Sequence, residues 1–226
     1  MKAWYSILFH INDQINSEHS VSYAHEYKRH IDLALIDLVI SNFIESLEEN
    51  DALWRIHTRW KPGEQFLKLI IYCEADLVED IVNQLSKDDV IKKLRKSRLL
   101  LDLPSFERPS PDKQKMMSNL GGMSDTKWPN EIKFCWPHFI QGVSKSLICL
   151  LRYYSGMKES EIRAKSTDEI VKIYIDLQQQ IDDVLYRWFS HAFLHHIHAV
   201  FGYPKFHGNL KDSSNNTGTF DLTGIN

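Results

Sequence analysis

The chain has no apolar run near the ~20 residues that a bilayer-spanning helix needs, so none of its 226 residues reads as a membrane span. It has no charge excess either. Twenty-seven Lys and Arg stand against 30 Asp and Glu, for a net charge of −3. That balance gives no bulk sign of a nucleic-acid or anionic-membrane partner. Cysteine is scarce: Cys73, Cys135 and Cys149 lie far apart in apolar segments, without metal-like spacing. They read as free buried thiols of a cytosolic protein. The start, Met1-Lys2-Ala3-Trp4-Tyr5-Ser6, leads into a short apolar stretch broken by His10, Asn12 and Asp13, a poor signal peptide. No segment repeats. What is present is an apolar fraction of 43%, suited to one compact unit or two small ones.

Residues 2–11 are aromatic and β-branched, as in a strand, and 12–22 are polar. The spacing of Tyr27, Ile31, Leu35, Leu38 and Phe43 predicts a helix over 23–49. Two strands follow, 53–60 and 65–73, around the turn Lys61-Pro62-Gly63-Glu64. A charged amphipathic helix is predicted over 74–96. The order β-α-β-β-α predicts an α+β fold, a small antiparallel, ferredoxin-like sheet layered with helices. Residues 1–102 form this sheet half. Residues 103–130, with Pro104, Pro109, Pro111, Gly121, Gly122 and Pro129, read as a linker. Residues 131–208 read as a mainly helical half, and 209–226 as a flexible tail of Gly, Ser, Asn and Thr. Within the helical half, one helix spans 137–154 with Phe139, Val143, Leu147, Leu151 and Tyr154 on its inner stripe. Pro137 opens it and Gly156 closes it. A capping box, Ser166 with Glu169, starts another helix that runs to about residue 201.

Two segments carry chemistry. Strand alternation puts Arg55, His57 and Arg59 on one face of the first hairpin strand, and Lys68 lies in the second. A half-exposed sheet shows the same alternation for no chemical reason. A guanidinium fork nevertheless suits a carboxylate or phosphate. The second segment is His191-Ala192-Phe193-Leu194-His195-His196-Ile197-His198. His191, His195 and His198 share a helical face, as zinc ligands or as packed core imidazoles would. The glutamate of an HExxH motif is missing, and no metal site is assigned. Imidazole is also the first candidate for acid–base work near neutral pH.

The order of these segments resembles the C-terminal elimination domain of lantibiotic dehydratases and the standalone thiopeptide-type proteins related to it. The matching stretches are Trp4-Tyr5-Ser6-Ile7-Leu8-Phe9-His10-Ile11, then Ile56-His57-Thr58-Arg59-Trp60, Lys61-Pro62-Gly63 and Phe66-Leu67-Lys68-Leu69, and finally His196-Ile197-His198. Lys68 and Ile70 stand in the strand where the family usually has two arginines. Ala199-Val200-Phe201 replaces its Asn-Arg. The resemblance implies a cytoplasmic, lyase-type step on a ribosomally made precursor peptide, either elimination of glutamate to give a dehydroamino acid or a related cyclisation. It needs no cofactor. Arg59, His196 and His198 would be catalytic, and Arg55, His57 and Lys68 would bind substrate. The partners implied are the precursor peptide and a dehydratase or other peptide-modifying enzyme, with no nucleic acid and no membrane. Two other classes stay open: a non-catalytic accessory protein that binds peptide at a sheet edge, and a metal-dependent enzyme built on the helix histidines.

Overall fold

The structure is a computed structural model that describes residues 2–15, 24–107, 116–124 and 127–189. The fold is α+β, built on a four-stranded antiparallel sheet. Its strands are β1 (Ala3–Ile11), β4 (Leu53–Lys61), β5 (Glu64–Cys73) and β6 (Ser105–Glu107), in the spatial order β4-β5-β1-β6. A separate two-stranded pair joins β2 (Gln14–Ile15) to β3 (Ala24–His25). β1 lies between β5 and β6 and is buried at every position except half-buried His10. Burial on both faces explains why this strand reads as an almost continuous apolar run.

Alternation along the strands sorts the sheet into two faces. Tyr5, Ile7, Phe9, Leu67, Leu69, Ile71 and Trp54 share one. Register places Trp4, Ser6, Leu8 and His10 on the other, beside Tyr72, Ile70, Lys68 and Phe66, with Arg55, His57 and Arg59 next in line.

Helices connect β1 to β4: α1 (Arg29–Leu38), a 3-10 turn (Ile40–Phe43) and α2 (Ile44–Glu49). The single helix predicted over 23–49 is thus broken. Ser41 Oγ donates to the Asp37 carbonyl, and Asn42 Nδ2 donates to the Leu38 carbonyl at 3.1 Å. Side chains of this type compete for carbonyls that a continuing helix would use. The helix predicted over 74–96 is also two, α3 (Ala75–Leu85) and α4 (Asp89–Lys96). Asp88 divides them, capping α4 by accepting from the Val90 and Ile91 amides at 2.8 and 3.1 Å. Val78, Ile81, Leu85, Val90, Ile91 and Leu94 are buried.

The segment expected as a linker contributes structure. It supplies β6 and a 3-10 turn at Leu120–Met123. The turn region is tied to the sheet by three side chains. Trp4 Nε1 donates to the carbonyls of Asn119 and Leu120 at 3.2 and 2.9 Å. The Tyr72 hydroxyl donates to Ser118 at 2.8 Å, and Arg55 Nη2 donates to Met123 at 3.3 Å.

The long helix α5 (Asn130–Ser155) starts seven residues before Pro137, which therefore lies inside it rather than at its start. Gly156, at φ +57, ends it as expected. Its buried residues are Pro137, Ser144, Ile148 and Leu151. Of the predicted inner stripe, Leu151 is buried, whereas Phe139 and Val143 are exposed. The cause is polar. Ser144 Oγ accepts the Ile56 amide hydrogen at 3.1 Å while donating to Ile140 at 2.9 Å. β4 is an edge strand, and the helix turns a hydroxyl inward to satisfy one of its backbone donors. The same rotation leaves Cys135 and Cys149 exposed, so only Cys73 is the buried thiol expected of all three.

α6 (Glu159–Arg163) and α7 (Thr167–Phe189) complete the described chain. The capping box forms: Ser166 N and Oγ donate to Glu169 Oε2 at 2.9 and 2.6 Å, and Glu169 N donates back to Ser166 Oγ at 3.4 Å. Ile170, Tyr174, Leu177 and Ile181 are buried along α7. Tyr174 donates to Asp37 Oδ2 of α1 at 2.6 Å. Arg163 donates to the Leu38 carbonyl and to Asp88. The chain divides into two compact units, 1–181 and 182–226. Among the described residues, no helix is long and apolar enough to cross a membrane.

Candidate functional site

The hairpin β4–β5 turns at Pro62-Gly63, where Gly63 adopts φ +83 and donates its amide to Asp13 Oδ2 at 2.9 Å. Proline then glycine is the residue order such a turn favours. The register this fixes pairs Arg55 with Ile70, His57 with Lys68 and Arg59 with Phe66. Arg55, His57 and Arg59 therefore share a face, as predicted, and the register adds Lys68 to it. Arg55 is half-buried and anchored to Met123. Arg59 is exposed, and His57 keeps much of its surface in solvent while its imidazole is partly covered. Lys68 is half-buried, with its ammonium 4.7 Å from the centre of the Phe66 ring. That cation–π contact holds the Lys68 head in place over the sheet.

Electrostatically the row is one-signed. Partial burial of the imidazole, followed by the charges of Arg55, Lys68 and Arg59, holds the His57 pKa below its ordinary value. Burial also lowers that of Arg55. An uncharged imidazole is thus set among fixed cations. Lys68 lies diagonally between Arg55 and Arg59 across the strand pair, within reach of long side chains, and an anion among the three would offset their mutual repulsion. The arrangement suits a carboxylate or phosphate, with His57 available as proton acceptor.

His196 and His198, the predicted acid–base pair, lie outside the described residues, as do His191, His195 and the 209–226 tail. Among the described residues, no group of three or more His, Cys, Asp or Glu could hold a metal ion.

Sequence reasoning missed a second polar cluster on the opposite face, at the same end of the hairpin. Gln65, buried, accepts the Lys28 amide hydrogen with Oε1 at 2.9 Å and donates to the Lys28 carbonyl with Nε2 at 3.1 Å. It thereby pairs with the backbone as a neighbouring strand would. The same Nε2 makes a long 3.4 Å contact with Asp32 Oδ2. Asp32 is 1% exposed, and no well-formed hydrogen bond reaches its Oδ1. Burial raises its pKa to about 7, although neighbouring Tyr27 and Gln65 pull the other way. Burial and then Asp32 push Tyr27 up to about 12, and the Tyr27 ring lies 6.1 Å from that of Trp60. The available signal was a carboxylate inside the apolar run Ile31-Asp32-Leu33-Ala34-Leu35-Ile36.

No family model, no curated protein and no solved structure matches this chain.

Proposed function

We propose that this protein acts in the maturation of a ribosomally made peptide, eliminating glutamate from a glutamyl ester of Ser or Thr or catalysing a related cyclisation. The carrying observation is the cationic row Arg55–His57–Arg59 with Lys68 beside it on one sheet face. In this reading Arg59 and Lys68 clamp the glutamyl carboxylate, with Arg55 and His57 beside them. His196 takes the α-proton, supported by His198, and the carbon–oxygen bond to glutamate breaks as the carbon–carbon double bond forms. The clamp stabilises charge that grows on the leaving carboxylate. We also read the sheet as ferredoxin-like. The order β4-β5-β1-β6, with helices after β1 and after β5, supports this. The setting proposed is the cytoplasm.

The test uses the purified chain with a peptide carrying a glutamyl ester on Ser. Dehydroalanine is followed by mass spectrometry and released glutamate by a coupled assay. Arg59→Ala is expected to lower turnover by about 10²-fold or more, as loss of one charge-stabilising donor does, while the sheet keeps its unfolding midpoint. Undiminished turnover by Arg59→Ala, or by His196→Ala, sinks the catalytic assignment.

A second reading is favoured by the place of β4 at the sheet edge. The Ile56 amide is taken by Ser144, and Thr58 and Trp60, of the same parity, continue the outward-facing backbone beyond it. A peptide strand added there would bring its acidic side chains beside Arg59, giving an accessory peptide binder. Binding without turnover, abolished by proline at Thr58, would select this reading over the first.

A further inference from the structure

The inference concerns the outer face of α5. A water-facing helix surface is ordinarily polar, yet this one carries apolar and small residues at intervals of three and four from Ile132 to Tyr153. Ile132 is 47% exposed, Phe139 41% and Tyr153 78%. Cys135 and Cys149 are both exposed on the same face. Intervals of three and four form one seam along a helix.

The seam reads the same from either end. Gly142 is its centre. Ile132 and Tyr153 are equally far from it to within a residue, as are Cys135 and Cys149, and Phe139 and Ser146. A second copy laid antiparallel on this face would match each residue with the other member of its pair. The sizes fit. Phe139 meets the small Ser146, whose hydroxyl is already bonded to the Gly142 carbonyl at 3.0 Å. Gly142 meets its own counterpart, and a Cβ built there touches nothing within 4 Å, so two backbones can approach closely. Charge fits as well. Glu131 and Arg152 flank the same side of the seam at opposite ends, both exposed. A two-fold axis across the seam keeps each flank on its own side and reverses its direction, so each Glu131 falls beside the other copy's Arg152.

From the exposed palindromic seam, the open centre at Gly142 and the opposed flanking charges, we infer that the protein forms a two-fold homodimer through antiparallel pairing of α5. This surface is separate from the cationic sheet face and independent of the reading given to it.

Sedimentation equilibrium on the full chain tests the pairing at about 100 μM, well above the micromolar upper limit for a standard interface. A dimer is expected. Gly142→Arg should weaken it by about tenfold or more while leaving the thermal midpoint of the monomer unchanged or raised, since Arg is a better helix former than Gly. Glu131→Lys should weaken it, and adding Arg152→Glu should restore it. Geometry is tested by mild oxidation with copper phenanthroline and peptide mapping. Cys135 and Cys149 are two heptads apart on one helix, about 21 Å along its axis, so a disulfide between them joins two copies. The expected product is a Cys135–Cys149 link between chains. A monomer at the highest concentration, or links joining like cysteines as parallel helices would give, overturns the proposal.

Discussion

Replacing Asp32 with Asn should make the protein more stable at alkaline pH, although it removes a carboxyl group from the middle of the fold. The carboxyl is 1% exposed, with Tyr27 and Gln65 as its donors, Gln65 Nε2 at a long 3.4 Å. Burial lifts its pKa from 3.8 to about 7. Between those values the native protein holds a proton that the unfolded chain has released. Stability from this group is therefore complete below about pH 4 and falls as pH rises toward 7, with no further change above. Three units at 1.36 kcal/mol each set the loss at about 4 kcal/mol, an upper figure because water penetration relaxes buried charges. Asn has the same shape and no charge to desolvate. Urea unfolding at about pH 5 and about pH 8 would measure the difference. The parent should lose stability between the two, whereas Asp32→Asn should change much less and exceed the parent at the higher pH by about 1–4 kcal/mol. A variant that is less stable than the parent at pH 8 would refute the reasoning. It would mean that ionised Asp32 makes a favourable contact outweighing its burial.

Two further predictions follow from particular contacts. Tyr174→Phe removes the 2.6 Å hydrogen bond to buried Asp37 and should cost about 1.5–3 kcal/mol in chemical denaturation, and a loss below about 0.5 kcal/mol would show that water replaces the hydroxyl. At Gly122 a Cβ would lie 2.0 Å from the Met116 carbonyl, so Gly122→Ala should dislodge the turn that caps Trp4, read as a red shift in tryptophan fluorescence and faster proteolysis near residue 120.

The parts of the fold legible in the sequence are those set by local rules. The alternation of 54–60 and 65–72, the Pro62-Gly63 turn and the Ser166–Glu169 box all depend on near neighbours, and all occur as read. The cationic face was legible for the same reason: parity alone puts Arg55, His57 and Arg59 together. Less legible were the places where a polar group decides packing. Ser144 turns α5 toward the β4 edge, so a stripe chosen by hydrophobicity pointed the wrong way. Asp88 captures two amides and divides one periodic segment into two helices. Asp32 and Asp37 are buried by residues distant in sequence, Gln65 and Tyr174 among them, and no periodicity encodes such pairs.

The place of β1 at the centre of the sheet has a consequence for biosynthesis. The strand is synthesised well before either partner: Ile11 pairs with Gln65, Ala3 with Cys73, and Ile7 with Phe106 of β6. At about 5–20 residues per second, β1 waits several seconds for its first neighbour and longer for its second. For that interval a nine-residue apolar strand has both hydrogen-bonding edges open, the kind of segment most prone to wrong pairing. Production of this chain should therefore be more sensitive to elongation rate and to chaperones that cover nascent apolar strands than to the stability of the finished fold.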